Sequence, residues 1–253
     1  MKTIGRSAPN TGTLPVAGLQ SDARPFRPLE NEPNMDHVVP PSLLFDFRLP
    51  VPGCDGPSKK ASGRLLNLPD DCRLFVPSAM NDQPSFASFK AGWNADGFGI
   101  AVNVAGKTKP TAGSAHDTKH SDAILLWIDT RPAGNVHRAT EYCHHFACLP
   151  VDEESDDAPA VVVMPIAQQR AQRIESNPKK MVYRTHQKKD GYEFEVWIPA
   201  SQLYGFRDVS ELGRIGFSCV LQDSELGDQP LSIGEDFPTA YDPSTWLQLE
   251  LLT

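Results

Sequence analysis

Asp190-Gly-Tyr-Glu-Phe-Glu-Val-Trp-Ile-Pro199 alternates apolar and polar side chains with period two, the signature of a strand with one buried face. Tyr192, Phe194, Val196 and Ile198 fall on one face, and Glu193, Glu195 and Trp197 on the other. Some seventy residues earlier, Ser121-Asp-Ala-Ile-Leu-Leu-Trp-Ile-Asp-Thr-Arg131 repeats the pattern. Ile124, Leu126 and Ile128 share one face, with Leu125, Trp127 and Asp129 on the other and Arg131 next along it. Side chains alternate across a strand, so each segment can feed a core with one face and present a tryptophan and a carboxylate with the other.

Working outward, short apolar runs are punctuated by 23 prolines and 18 glycines. Ser85–Trp93 and Phe98–Val104 flank Asn94-Ala-Asp-Gly97, and Met181–Gln187 meets the first-quoted segment across Lys188-Lys-Asp-Gly191; both are hairpin signals. Leu43–Pro50, Cys72–Val76, His137–Pro150, Arg214–Gln222 and Thr245–Leu252 read as further strands. Ile166–Ile174 is the best helical candidate, and Pro199–Leu203 resembles a single helical turn. Many short strands separated by turn signals predict an all-β chain, an antiparallel, jelly-roll-like β-sandwich with one short helix. Met1 to about Asp36, rich in Pro, Gly, Asn, Ser and Thr and without apolar periodicity, reads as a disordered or extended leader (1–36) ahead of one domain (37–253).

A formal charge of −8 argues against nucleic acid or an anionic membrane as partner. No apolar run reaches the roughly 18–20 residues that cross a bilayer, and no secretory signal is visible, so a cytoplasmic location is the default expectation. Five cysteines, an odd count, fit a reducing compartment. The acidic run Asp152–Asp157 reads as a solvated loop, with calcium the sharper alternative, although it lacks EF-hand spacing. Glu141, Cys143 and His145, with His137 nearby, offer zinc-type donors, but alternate residues on a flat strand lie about 6.5–7 Å apart and fit one ion poorly. No nucleophile elbow, phosphate loop, His-Glu-x-x-His or Cys-x-x-Cys occurs. Asp129 and Glu195 could in principle form the carboxylate pair of a glycosidase, although nothing in the sequence fixes their separation.

Four segments then fall in a recognisable order: Trp93–Val102, Ser121–Thr130, Asp190–Pro199 and Asp242-Pro-Ser-Thr-Trp-Leu-Gln-Leu-Glu250. Together they resemble the family 9 carbohydrate-binding modules and the wider DOMON-like β-sandwiches. Asp-Gly-Tyr-x-x-Glu-x-x-Ile-Pro is the most specific element. Leu125 stands where that family carries a glutamate. His137–Phe146 and Asp223–Leu231 resemble an uncharacterised bacterial subgroup with this domain. The resemblance implies non-catalytic sugar recognition, with carbohydrate as partner, no enzymatic activity and no required cofactor (calcium possible).

A sugar site needs an apolar platform and hydroxyl-bonding groups. Trp127 and Trp197 are the candidate platforms, and Asp129, Arg131, His137 and Glu195 the candidate bonding groups, converging if both strands lie in one sheet. The competing reading places both tryptophans in a secondary core beneath a loop and makes the acids structural ion pairs. In that case the sandwich is a structural or protein-interaction module. Trp93, sharing a face with Phe89 and Ala91, reads as core, and Trp246 stays open between core and site.

Overall fold

In the computed structural model the described residues are 39–60, 63–81, 85–172, 174–234 and 236–252. The expected leader, 1–36, lies outside them. Eleven strands run in chain order among these residues: β1 (Arg48–Val51), β2 (Ala87–Asn94), β3 (Gly97–Ala105), β4 (Ala123–Asp129), β5 (Cys143–Asp152), β6 (Ala158–Val163), β7 (Val182–Lys188), β8 (Gly191–Pro199), β9 (Arg214–Asp223), β10 (Gly227–Pro230) and β11 (Leu247–Leu251). They form a 7-stranded sheet ordered β1-β11-β9-β4-β5-β6, with β10 also on β9, and a 4-stranded sheet ordered β2-β3-β8-β7. The sandwich expected from the periodicity is the fold observed.

The apolar faces pack as the alternation requires. Ile124, Leu126, Ile128, Phe217 and Leu249 from the larger sheet meet Phe98, Ile100, Val102, Tyr192, Phe194, Val196 and Ile198 from the smaller one. Phe98 and Phe217 touch edge-to-face across the layers, with centroids 6.0 Å apart. Both Asp-Gly turns do more than reverse the chain. At Gly97 a Cβ would lie 2.4 Å from Ile198 O, and at Gly191 it would lie 2.1 Å from Val104 O. Only glycine lets each hairpin end press against the neighbouring strand.

Three expectations are corrected. The helix falls at α1 (Val209–Leu212), extended backwards by the 3-10 turn Phe206–Asp208, and not at Ile166–Ile174. In the latter stretch Gln168 takes a left-handed φ of 57°. The stretch bonds outward instead of along itself, through Arg170 N–H to Ala139 O at 2.7 Å and Gln169 Nε2 to Thr140 O at 2.9 Å. A segment this short repays helix nucleation poorly, and tertiary partners win. Second, the strand expected from His137 begins only at Cys143, because a local turn closes with Cys143 N–H bonding Thr140 O. Third, the opening strand starts at Arg48: Pro40 and Pro41 launch a 3-10 turn over Pro41–Leu43 instead. β1 then pairs parallel with β11, the one parallel ladder among the described strands, and Pro50 is tolerated because β1 is an edge.

The long connection between β3 and β4 is held by a buried ion cluster. Lys107 Nζ lies 2.6 Å from Asp223 Oδ2 and 3.1 Å from Asp122 Oδ2, all three side chains at most 2% exposed. The remaining carboxylate capacity is filled by backbone N–H groups of Ala112 and Ser224 on Asp122, and of Glu225 and Leu226 on Asp223. Such a cluster is tolerable only because each oxygen is matched. Among the described residues no helix is long and apolar enough to cross a membrane.

Candidate functional site

The outer face of the larger sheet carries the candidate site. In register, Trp127 of β4 lies between Ser218 of β9 and His145 of β5. One step along, Leu125 lies between Val220 and Ala147, and Gln222 of β9 faces Asp228 of β10. The alternation that sends Ile124, Leu126 and Ile128 inward therefore lays Leu125, Trp127, Val220 and Gln222 on one outward floor. Over it folds the segment Asp236–Tyr241, and between them is a cleft of about 670 Å³.

The wall is held in place at its far end. Trp246 Nε1 donates to Thr239 O at 2.8 Å, and Tyr241 and Asp242 N–H both bond Pro238 O. Trp127, Trp246, Ile166, Ala139 and Cys143 form a small apolar cluster of their own beneath it, which settles Trp246 as packing. Trp127 stacks on His145, centroids 4.3 Å apart and planes 14° off parallel. His145 Nδ1 lies 3.1 Å from Pro165 O, fixing the ring. Gln222 is braced by Nε2 bonds to the carbonyls of Thr118, Lys119 and Ser121. Two polar groups at the cleft are buried and unpartnered, Trp127 Nε1 and Thr239 Oγ1. A buried polar group left without a partner costs about 1–3 kcal/mol, so a water or a ligand atom bonded at either position would be stabilising.

Of the residues expected to form a site, Trp127 alone lines this cleft. The condition that both tryptophan strands share a sheet fails, since β4 lies in the 7-stranded sheet and β8 in the 4-stranded one. Trp197 and Glu195 therefore face outward on the opposite side of the sandwich. There the segment carrying Leu65, Leu66, Leu68 and Cys72 covers Trp197, leaving it 3% exposed. Glu195 is fully buried, its oxygens accepting the N–H groups of Leu65 at 2.7 Å and Leu66 at 2.9 Å. The secondary-core reading holds for that tryptophan.

Asp129 lines a separate cleft of about 260 Å³ with Ser244 and Gln248. Burial raises its carboxyl above the usual range, against the opposing bonds from Arg131 N–H and the Cys143 thiol. Arg131 lies over the Tyr142 ring at 4.4 Å, bonds the Tyr142 hydroxyl and pairs with Asp208. His137 Nδ1 lies 3.1 Å from Asp242 Oδ2 and 3.0 Å from Ser244 Oγ. One imidazole nitrogen thus serves both neighbours, whereas a nucleophilic relay needs the two nitrogens on different partners. Asp242 acts as the cap of the turn Pro243–Thr245. Among the described residues no group of three or more His, Cys, Asp or Glu is placed to hold a metal ion. His137 lies apart on Asp242, and Glu141 stands in the turn before β5.

The aromatic wall of the cleft, Phe237 and Tyr241, was not expected. The only signal for it is the run Asp236-Phe-Pro-Thr-Ala-Tyr241, aromatic residues in a Pro-containing connection with no period.

No family model matches the chain, and no curated protein matches it. Among solved structures, a carbohydrate-binding module of family 9 from Caldicellulosiruptor kristjanssonii in complex with glucose superposes with a TM-score of 0.53 at 15% identity, covering 81% of this chain and 96% of the module. A family 9 module from the same organism in complex with cellotriose gives a TM-score of 0.51 at 15% identity, over 81% of this chain and 93% of the module. The fold is that of a family 9 carbohydrate-binding module. The β-sandwich expected from the four ordered segments is thereby matched in three dimensions, at low sequence identity.

Proposed function

We propose that this chain is a non-catalytic carbohydrate-binding protein and that the sugar binds in the cleft between the Trp127 face and the Asp236–Tyr241 wall. The observation that carries this reading is the cleft's composition: partly exposed Phe237 and Tyr241 beside Leu125 and Val220, with hydroxyl-bonding groups among them. Pyranose rings present C–H faces to aromatic surfaces and hydroxyls to donors and acceptors, and this cleft offers both. Trp127 is only 4% exposed, so its part is that of floor and donor, while Tyr241 and Phe237 supply the platform. The fold shared with modules solved with cellotriose and glucose supports the ligand class. The His137–Asp242–Ser244 arrangement, a capped turn and not a relay, supports a binding role over a hydrolytic one.

Calorimetric titration with glucose and cellotriose tests the reading. Saturable binding that Tyr241→Ala weakens by about tenfold or more supports it. Absence of heat with every mono- and oligosaccharide, from a protein that unfolds cooperatively, would sink it.

A further inference from the structure

The separate cleft of about 260 Å³ beside Asp129 has a floor of its own. In register, Asp129 of β4, Gly216 of β9 and Gln248 of β11 form one row across the larger sheet. The backbones of β4 and β11 are two strand spacings apart, roughly 9–10 Å, with only the glycine between them. A Cβ on Gly216 would lie 3.1 Å from Asp129 Cβ and 3.4 Å from Pro132 Cβ, so any side chain there would fill the notch. No left-handed φ calls for glycine at this position. Glycine inside a strand weakens it and marks a place where something approaches the backbone closely. Asp129, 5% exposed, accepts Arg131 N–H at 2.9 Å and the Cys143 thiol, both neutral donors. Among the described residues no Lys, Arg or His forms an ion pair with it. The Arg131 guanidinium turns to Asp208 and Tyr142, and His137 to Asp242 and Ser244. Asp46, the other acid on the lining, is exposed and pairs with Arg48. Asp129 is thus a buried carboxylate without the cation that such a group normally has.

We propose that this second cleft binds a small primary ammonium ligand, which pairs with Asp129 over the Gly216 notch. An ammonium carries three N–H donors and no acceptor, and the lining offers acceptors to match. Gln248 flanks the notch opposite Asp129, and its side-chain amide bonds nothing among the described residues. Ser244 Oγ donates to Asp242 Oδ1 at 2.7 Å and keeps acceptor capacity. Pro132, Pro243 and Trp246 line the rest, apolar surface that suits a short alkyl chain and not a second charge. The site is separate from the sugar cleft and does not depend on the carbohydrate reading.

The test is a parallel NMR titration of isotope-labelled protein with n-butylamine and with n-butanol, matched in length. It is run at about pH 7.5, where an alkylamine is protonated, and read at the Gly216 N–H and the Gln248 side-chain amide. Butylamine is expected to shift both signals saturably, and butanol to bind at least about tenfold more weakly. Asp129→Asn keeps an acceptor for Arg131 N–H and removes the charge, so butylamine affinity should fall at least about thirtyfold. Its unfolding midpoint should hold or rise, because an unpaired buried charge is gone. Gln248→Met should weaken butylamine about three- to tenfold, and Tyr241→Ala, in the other cleft, should leave it unchanged. No saturable shift at Gly216, equal affinities for amine and alcohol, or binding indifferent to Asp129→Asn overturns the proposal. A large loss of stability in Asp129→Asn overturns it too, since the chain would then already satisfy that carboxylate. None of these outcomes bears on sugar binding, which the separate titration with glucose and cellotriose decides.

Discussion

Glu195 Oε2 accepts the backbone N–H of Leu65 at 2.7 Å, joining β8 to a segment 130 positions earlier in the chain. With Oε1 on Leu66 N–H, one carboxylate satisfies two consecutive donors that would otherwise be buried beneath that segment. The bond pair makes Glu195 a clamp holding the cover over Trp197. Glu195→Ala is therefore expected to cost about 2–4 kcal/mol in urea unfolding, since two donors lose their acceptor. Sugar affinity of the folded fraction should be unaffected, because the clamp lies on the sheet opposite the cleft. A loss of affinity without a loss of stability would return Glu195 to the binding residues.

Trp197 belongs to the same cover. A Cβ on Gly99 would come within 2.8 Å of the Trp197 ring and 2.9 Å of Leu66 Cδ1, so the ring lies directly on the glycine backbone of β3. Gly99→Ala is expected to destabilise by about 1–3 kcal/mol through overpacking, and Trp197→Ala by about 3–5 kcal/mol through the cavity. Thermal unfolding of the two variants checks both values. An unchanged midpoint in Trp197→Ala would contradict the packing role.

The faces of these strands were legible because a period of two is a local property: Ile124 and Tyr192 had to point inward if their segments were strands. Which sheet each strand joins is not local. β8 pairs with β3, some ninety residues earlier, and β4 lies between β9 and β5, so Trp127 and Trp197 end on opposite outer faces despite matching patterns. The glutamate of the Asp-Gly-Tyr-x-x-Glu motif was visible as an acid on an outward face. Its backbone partners come from a segment without periodicity, and nothing in that segment announces where it folds. The cleft wall was illegible for the same reason, since Asp236–Tyr241 is held by Trp246 and by the floor it covers.

Lys107 makes the stability depend on alkaline pH. Burial pushes its ammonium down, but the bonds from Asp223 and Asp122 push it further up, leaving it above the ordinary value of 10.5. A raised folded value means the native state holds the proton more tightly than the unfolded chain. The stabilisation is thus complete below 10.5 and is lost as pH rises through the higher folded value. Chemical unfolding at stepped pH should show stability falling above that point in the native protein. Lys107→Met should lose this dependence and cost about 3–5 kcal/mol at neutral pH, because two buried carboxylates lose their counter-ion.

The thiols differ in access. Cys72, Cys143, Cys148 and Cys219 are buried, whereas Cys54 is partly exposed. Burial, with Asp129 adding to it, pushes the Cys143 thiol up to about 12, so its nucleophilic thiolate is scarce at neutral pH. Maleimide labelling followed by mass spectrometry should find Cys54 modified first in the native protein, and the other four only with unfolding. Early modification of Cys143 would mean that the cluster under the cleft opens on its own.

Trp127 offers the sharpest separation of stability from binding. Its Nε1–H is buried without a partner, which penalises the ligand-free protein, while its ring packs on His145 and Trp246. Trp127→Phe keeps most of the ring and deletes the donor. Removing an unsatisfied donor offsets part of the lost packing, so the ligand-free stability should change by no more than about 1–2 kcal/mol. If a sugar hydroxyl accepts that N–H, the variant loses one hydrogen bond in the complex and the affinity for cellotriose falls about three- to tenfold. Thr239→Val removes the second unpartnered group and should act in the same direction. Unfolding curves and titrations on the same preparations distinguish the cases: equal affinity in both variants would place the sugar on Tyr241 and Phe237 alone, out of reach of the floor.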